Sequence, residues 1–171
     1  MTVIIGIDPG SRRTGYGVIR LEGSRHVYLT SGFLDLSSYA FCERLQQIFL
    51  GVQDLIQTYQ PQEAAIEQVF MYENASSALK LGQARGAAIA ALHKMQVAEY
   101  SAREVKKSVV GQGGASKPQV QFMVQRLLNL RQALQADAAD ALALALCHAH
   151  RRGNRERGLD HFDVLSRRRN P

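Results

Sequence analysis

Val3 to Ile7 is a short, unbroken apolar run closed by Asp8-Pro9-Gly10. Such a run reads as a buried strand, and the closing triplet as a turn. Thr14–Arg20 and Val27–Leu36 follow as two further stretches rich in β-formers. No helical periodicity separates the three, so they predict an antiparallel meander. The period then changes. Phe41, Leu45, Ile48, Phe49, Val52, Leu55, Ile56 and Tyr59 recur at three- and four-residue steps. They make the apolar face of an amphipathic helix, stopped at Gln60-Pro61. Ala64–Phe70 reads as strand four and Gln96–Tyr100 as strand five, with a small-residue helix from Ser76 to about Lys94 between them.

Arg103–Val110 predicts a short helix, and Gly111–Gly114 a flexible loop. Ser116-Lys117-Pro118-Gln119 carries the signals of a helix start: a Ser cap, Pro in the first turn and Gln three residues on. Asp137 to about His150 is a last helix, rich in Ala and Leu. A meander followed by alternating helix and strand predicts an α/β domain, a mixed five-stranded sheet with helices on both faces.

Composition narrows the class. With 171 residues, 46% hydrophobic and 21% charged, this is one ordinary globular domain and not a disordered or collagenous chain. No apolar run approaches the roughly 20 residues that span a bilayer. The N-terminus enters a strand at once, without the basic region of a secretory signal. Cys42 and Cys147 both fall in helical patterns and cannot make a disulfide framework. A cytoplasmic, reduced protein without membrane contact is expected. The net charge is +6. Residues 151–171 hold seven arginines against Glu156, Asp160 and Asp163, and so carry four of those charges. The expected division is a folded domain over 1–150 and a basic, mobile tail over 151–171. Such a balance suggests a polyanionic partner.

Four acids stand where acids are unwelcome. Asp8 ends an apolar strand, Glu67 lies inside another, and Asp137 and Asp140 interrupt an Ala-Leu helix. Residues i and i+3 share a helix face, with Cβ atoms roughly 5–6 Å apart. Like charges at that spacing repel, more so when partly buried. A divalent cation is the simplest partner, and Mg²⁺ suits a few carboxylates plus water and phosphate. Each acid alone has a plainer reading. Asp-Pro-Gly is usually a turn, Glu67 could face a sheet edge, and Asp137 could cap the last helix with Asp140 in its first turn. Taken jointly they are harder to dismiss, because strands one and four can be neighbours ending at one rim, where α/β sheets bind ligands.

These residues also carry a resemblance. Ile5-Gly6-Ile7-Asp8-Pro9-Gly10-Ser11, Thr14-Gly15-Tyr16-Gly17-Val18-Ile19, Ala65-Ile66-Glu67-Gln68-Val69-Phe70, Ser77 to Gly86, and Gln135 to Ala141 resemble, in order, the RuvC family of bacterial Holliday-junction resolvases. The resemblance implies a ribonuclease H-like fold, a homodimer, and Mg²⁺-dependent nicking of two opposed strands of a four-way DNA junction. It implies Asp8, Glu67, Asp137 and Asp140 as catalytic metal ligands, and Lys106 and Lys117 as catalytic basic residues. Phe70 matches an aromatic that stacks at the junction centre. Lys107 and Arg85 join Phe70, Lys106 and Lys117 as expected DNA contacts. A branch-migration motor is an implied partner. Pro118 beside Lys117 departs from the family pattern and bears on that lysine's pose.

Two Mg²⁺, with Mn²⁺ as a substitute, would balance four carboxylates and serve phosphodiester hydrolysis at a spacing of roughly 3.5–4 Å. Water attack would leave a 5′-phosphate and a 3′-hydroxyl. Gly82 and Gly86 allow a close helix contact, either with the chain's own sheet or across a two-fold interface. His148 and His150, two apart on a helix, point to different faces and make no metal pair. Three rival readings fit parts of the pattern. Asp8-x-Gly10 with Gly15 and Gly17 resembles the phosphate-gripping opening of actin-like ATPases, which need two such lobes. An RNA-processing nuclease of the same fold is the second. The third is a basic DNA-binding module without chemistry, against which four acids in register argue.

Overall fold

The computed structural model describes residues 1–69 and 74–156. Five strands, β1 (Thr2–Asp8), β2 (Arg13–Glu22), β3 (Arg25–Asp35), β4 (Glu63–Glu67) and β5 (Gln96–Tyr100), form one sheet in the order β3-β2-β1-β4-β5. The first three pair antiparallel, as the meander predicts, while β1–β4 and β4–β5 pair parallel. The helices are α1 (Phe41–Tyr59), α2 (Ala75–Ala91), α3 (Ala102–Val110), α4 (Lys117–Leu127) and α5 (Ala136–Glu156). One face of the sheet buries Ile5, Ile7 and Val18 against α1 and α2. The other buries Ile4, Ile19 and Ala65 against α3, α4 and α5.

Side chains alternate along a strand, and that alternation aims the acids. Ile4 faces α5, so Gly6 and Asp8 follow on the same face. Ala65 faces α5, so Glu63 and Glu67 do too. At Gly6 the helix touches the sheet backbone directly. A Cβ on Gly6 would lie 2.1 Å from the Ala141 carbonyl oxygen, and one on Gly15 would lie 2.2 Å from that of Asp137. On Gly17, the cross-strand partner of Gly6, it would lie 2.7 Å from the Leu142 side chain. Gly15 and Gly17 thus admit a helix, and the likeness to a nucleotide-gripping hairpin has its physical cause here.

Two expected boundaries move. Strand β4 ends at Glu67 and does not extend to Phe70. Helix α5 runs on through residue 150 to Glu156, so the expected boundary between domain and tail falls inside it. The extension is anchored: Arg151 Nη2 lies 2.7 Å from Glu104 Oε1, and Arg152 pairs with Glu63. Charge in the sequence masked these contacts, because arginine runs read as solvated. Phe70 and residues 157–171 lie outside the described residues. No helix among the described residues is long and apolar enough to cross a membrane.

Substituting Gly6→Ala or Gly17→Ala should therefore destabilise the fold, by about 1–3 kcal/mol or more for forced overpacking. Gly153 lies within α5 and an added Cβ there meets nothing within 4 Å, so Gly153→Ala should stabilise by roughly 0.5–1 kcal/mol. Urea unfolding of the three variants checks this. Equal midpoints for Gly6→Ala and the unmodified protein would refute the contact.

Candidate active site

The carboxyl ends of β1 and β4 carry Asp8 and Glu67, and the first turns of α5 carry Asp140. The loop after Asp8 is closed by the fully buried Thr14, whose Oγ1 donates to the Gly10 carbonyl (3.0 Å) and accepts from the Gly10 amide (3.3 Å). Glu67 is steadied from behind. Arg85 Nε donates to the Glu67 carbonyl (2.9 Å), and Arg85 Nη2 reaches Glu99 Oε2 (2.6 Å). Opposite stands α4. Its Ser116 cap accepts from the Gln119 amide while Gln119 Oε1 accepts from the Ser116 amide (2.8 Å), and this reciprocal cap fixes Lys117 at the first helical position. Pro118 fits the first turn, where its missing N–H is harmless. Lys117 Nζ lies 3.2 Å from Asp140 Oδ2. Lys106 enters from α3. Together Asp8, Glu67, Asp140, Lys106 and Lys117 line a cleft of about 350 Å³.

The cleft is electrostatically loaded. Burial, then the charges of Glu67 and Asp140, push the Asp8 carboxyl up to about 8. Burial is also the first cause raising Glu67, which is hydrogen-bonded to Asp8. At neutral pH the pair thus holds a proton between them that two isolated carboxylates would have lost. Lys117 moves the other way in charge terms: the Asp140 carboxylate raises it and keeps it cationic.

A hard divalent cation in place of that proton would relieve the same repulsion, and oxygen donors are what such a cation takes. Among the described residues no group of three His, Cys, Asp or Glu side chains stands close enough to hold a metal ion by itself. An open set suits an ion that keeps waters and substrate oxygens among its ligands. The donor set fits.

Other expected residues lie elsewhere. Asp137, one turn before Asp140, is outside the lining of this cleft and faces Arg13, with Nη1 3.8 Å from its Oδ2. Lys107 is exposed on α3 and does not line the cleft. Arg85, expected on DNA, has a side chain only 19% exposed and is held by the Glu67 carbonyl and Glu99. It positions β4. Gly82 and Gly86 are exposed and a Cβ on either meets nothing within 4 Å, so they do not pack on the chain's own sheet. The two histidines do part company. His148 bridges Tyr100 Oη (2.7 Å) and Glu63 Oε2 (2.8 Å), while His150 Nδ1 meets Ser108. Cys147 is buried, and burial pushes its thiol up to about 11.

Sequence reasoning missed Arg13 and Glu63. The signal for Glu63 was its place two and four residues before Ala65 and Glu67 on one strand face. Arg13 offered none, being one basic residue among neighbours of the same kind.

The family profile "Crossover junction endodeoxyribonuclease RuvC" matches residues 4–148. The Acinetobacter baumannii protein of that name is 58% identical over 156 residues, covering 90% of this chain and 86% of the relative. The structure of T. thermophilus RuvC in complex with Holliday junction substrate superposes with a TM-score of 0.84 at 32% identity, covering 93% of this chain and 98% of that one. The yeast mitochondrial Holliday junction resolvase, at 14% identity and a TM-score of 0.62 over 90% of this chain and 83% of that one, shares the fold. The fold, the rim of acids and the match along nearly the whole chain agree: this chain belongs to the RuvC family of crossover junction endodeoxyribonucleases.

Proposed function

We propose that this protein resolves four-way DNA junctions as a homodimer, placing paired, divalent-cation-dependent nicks in two opposed strands. The observation that carries the reading is the cleft that gathers Asp8, Glu67 and Asp140 with Lys106 and Lys117. Asp8, Glu67 and Asp140 would hold Mg²⁺, with Asp137 joining from the turn before. When bound, such ions supply positive charge and Lewis acidity at a phosphate. The chain's own groups do the rest. Lys117, kept charged by Asp140, and Lys106 present ammonium groups to the phosphate oxygens. Once a cation has displaced the proton that Asp8 and Glu67 share, one of these carboxylates would accept a proton from the attacking water. A bond would form from the water oxygen to phosphorus as the bond from phosphorus to O3′ breaks, and O3′ would take a proton from solvent water, so that the products are a 5′-phosphate and a 3′-hydroxyl. The basic balance of the chain favours the phosphate backbone as partner.

Two such sites are needed for two nicks. Leu79, Gly82 and Gly86 recur at helical steps along α2, all exposed, with Leu79 at 65%. This face supports a self-complementary interface. The protein should therefore sediment as a dimer at micromolar concentration. Gly86→Arg, which has room within the chain, should sediment as a monomer with an unchanged circular-dichroism spectrum. A monomeric unmodified protein that still makes paired nicks would contradict the interface.

Incubation with a synthetic four-way junction, a duplex and a single strand, with and without Mg²⁺, tests the activity. Only the junction with Mg²⁺ should be cut. Asp8→Asn, Glu67→Gln, Asp137→Asn and Asp140→Asn should each lose more than the ~100-fold that removal of an outer-shell group typically costs, and should still bind the junction. A variant cutting at the unmodified rate removes that residue from the site.

The raised Asp8 carboxyl has a signed consequence. Its folded value lies above its unfolded one, so the native state binds the extra proton and stability falls as pH rises between about 4 and 8. Without metal, the thermal midpoint should decline over that window, and Asp8→Asn should flatten the decline and melt higher at pH 8. An unchanged slope in Asp8→Asn would reject the assignment.

A further inference from the structure

The two acids at the start of α5 each face one basic residue, and the two come from opposite sides. Asp140 faces Lys117, from the start of α4. Asp137 faces Arg13, the first residue of β2. Three features single out the Arg13 contact. The Arg13 guanidinium carbon lies 4.8 Å from the centre of the Phe33 ring, which gives the planar group a face to lie on. The carboxylate directly across the sheet, Asp35, accepts from the Ser37 amide (3.0 Å) and hydroxyl (2.6 Å) and makes no direct ion pair with Arg13, although the Arg13 charge helps to lower its pKa. Finally, the Arg13–Asp137 pair is loose and wet. At 3.8 Å, with side chains 55% and 33% exposed, it is of the kind worth little on its own.

A loose pair beside a cation-binding set has a definite consequence. A guanidinium carries its charge at any accessible pH, so it competes with a cation for the same carboxylate. Unlike a buried pair it can be displaced without leaving a charge stranded. Phe33 forms one wall of an open groove of about 550 Å³, with Tyr16, Tyr28 and Arg131 also on its walls. A guanidinium rotated off Asp137 stays at the rim of the site, where its donor fork matches phosphate oxygens.

We propose that Arg13 is a positioning residue for the cleavage reaction: it is the displaceable counter-ion of Asp137, held over Phe33, and on cation entry it turns to a backbone phosphate on the side of the cleft opposite Lys117. The inference rests on the junction-cutting reading given above and extends it to a residue outside the acid set. In this arrangement a strand at the site is held between two basic groups, one from β2 and one from α4. The fold keeps Asp137 partnered until metal and DNA arrive.

The test uses the full-length protein and its Arg13→Gln and Arg13→Lys variants, with calorimetric titration of Mn²⁺ in the absence of DNA as the first readout. Loss of an exposed ion pair should make Arg13→Gln bind Mn²⁺ roughly two- to five-fold tighter, and Arg13→Lys, which keeps the charge, should stay near the unmodified affinity. The second readout is junction binding in Ca²⁺ at several salt concentrations. The Arg13→Gln slope of log K against log salt should be shallower by about one unit, the share of a single phosphate contact. Unchanged Mn²⁺ affinity in Arg13→Gln, or equal tightening in Arg13→Gln and Arg13→Lys, overturns the counter-ion role. An unchanged salt slope overturns the phosphate contact. If the unmodified protein itself binds neither Mn²⁺ nor the junction, it is the functional reading that fails, and the two failures are thereby told apart.

Discussion

Where helix α5 crosses Gly6, Gly15 and Gly17 it lies on the sheet at a distance that no side chain could tolerate. At Gly6, Gly15 and Gly17 the helix meets backbone rather than Cβ, and Ala141 and Ala145 are small where they face β1. Everything at the carboxylate rim follows from that closeness. Asp137 and Asp140 come from the start of α5, Asp8 from the end of β1, and Glu67 from the adjoining end of β4. With bulkier side chains between them, the helix would stand off and its acids would leave the mouth of the cleft. Close packing of apolar groups offsets the mutual repulsion of the carboxylates, because the burial that drives folding is spread over both sheet faces.

The same face of β4 serves both ends of α5. Glu67 belongs to the cleft, while Glu63, four residues earlier, takes His148 and Arg152 near the far end of the helix. Arg151 adds Glu104 of α3. The helix is thus fixed over its second half by paired charges and over its first half by glycine contacts, which set its N-terminal acids against the sheet. Basic residues then surround the acids on several elements: Lys117 from α4, Lys106 from α3 and Arg13 from β2. A polyanion approaching the rim meets positive charge before it meets the carboxylates.

Much of this was legible in the chain. The unbroken apolar run of β1, the β-former stretches of β2 and β3, the three- and four-residue steps of α1 and the small-residue run of α2 located those elements. The Ser116 cap was readable because its chemistry is local. The joint oddity of four acids in apolar surroundings drew attention to this end of the sheet, and three of them, Asp8, Glu67 and Asp140, line one cleft while Asp137 faces Arg13. What the sequence hid was long-range. The glycines Gly15 and Gly17 read as a ligand loop until the helix above them was seen. Arg151 and Arg152 read as tail until Glu104 and Glu63 were found beneath them. Arg85 read as a DNA contact, yet its partners are a main-chain carbonyl and Glu99, eighteen and fourteen residues away.

We propose that the contact of α5 with the sheet gathers Asp8, Glu67 and Asp140 into a divalent-cation site. Anomalous diffraction from crystals soaked in Mn²⁺ tests it most directly. The account predicts an anomalous peak within coordination distance of the Asp8 carboxylate, roughly 2.0–2.2 Å as for small hard cations, with Glu67 or Asp140 as a further ligand. A peak should be lost in Asp8→Asn crystals. Absence of any peak at Asp8 under saturating Mn²⁺, or a peak held only by residues away from this rim, would contradict it.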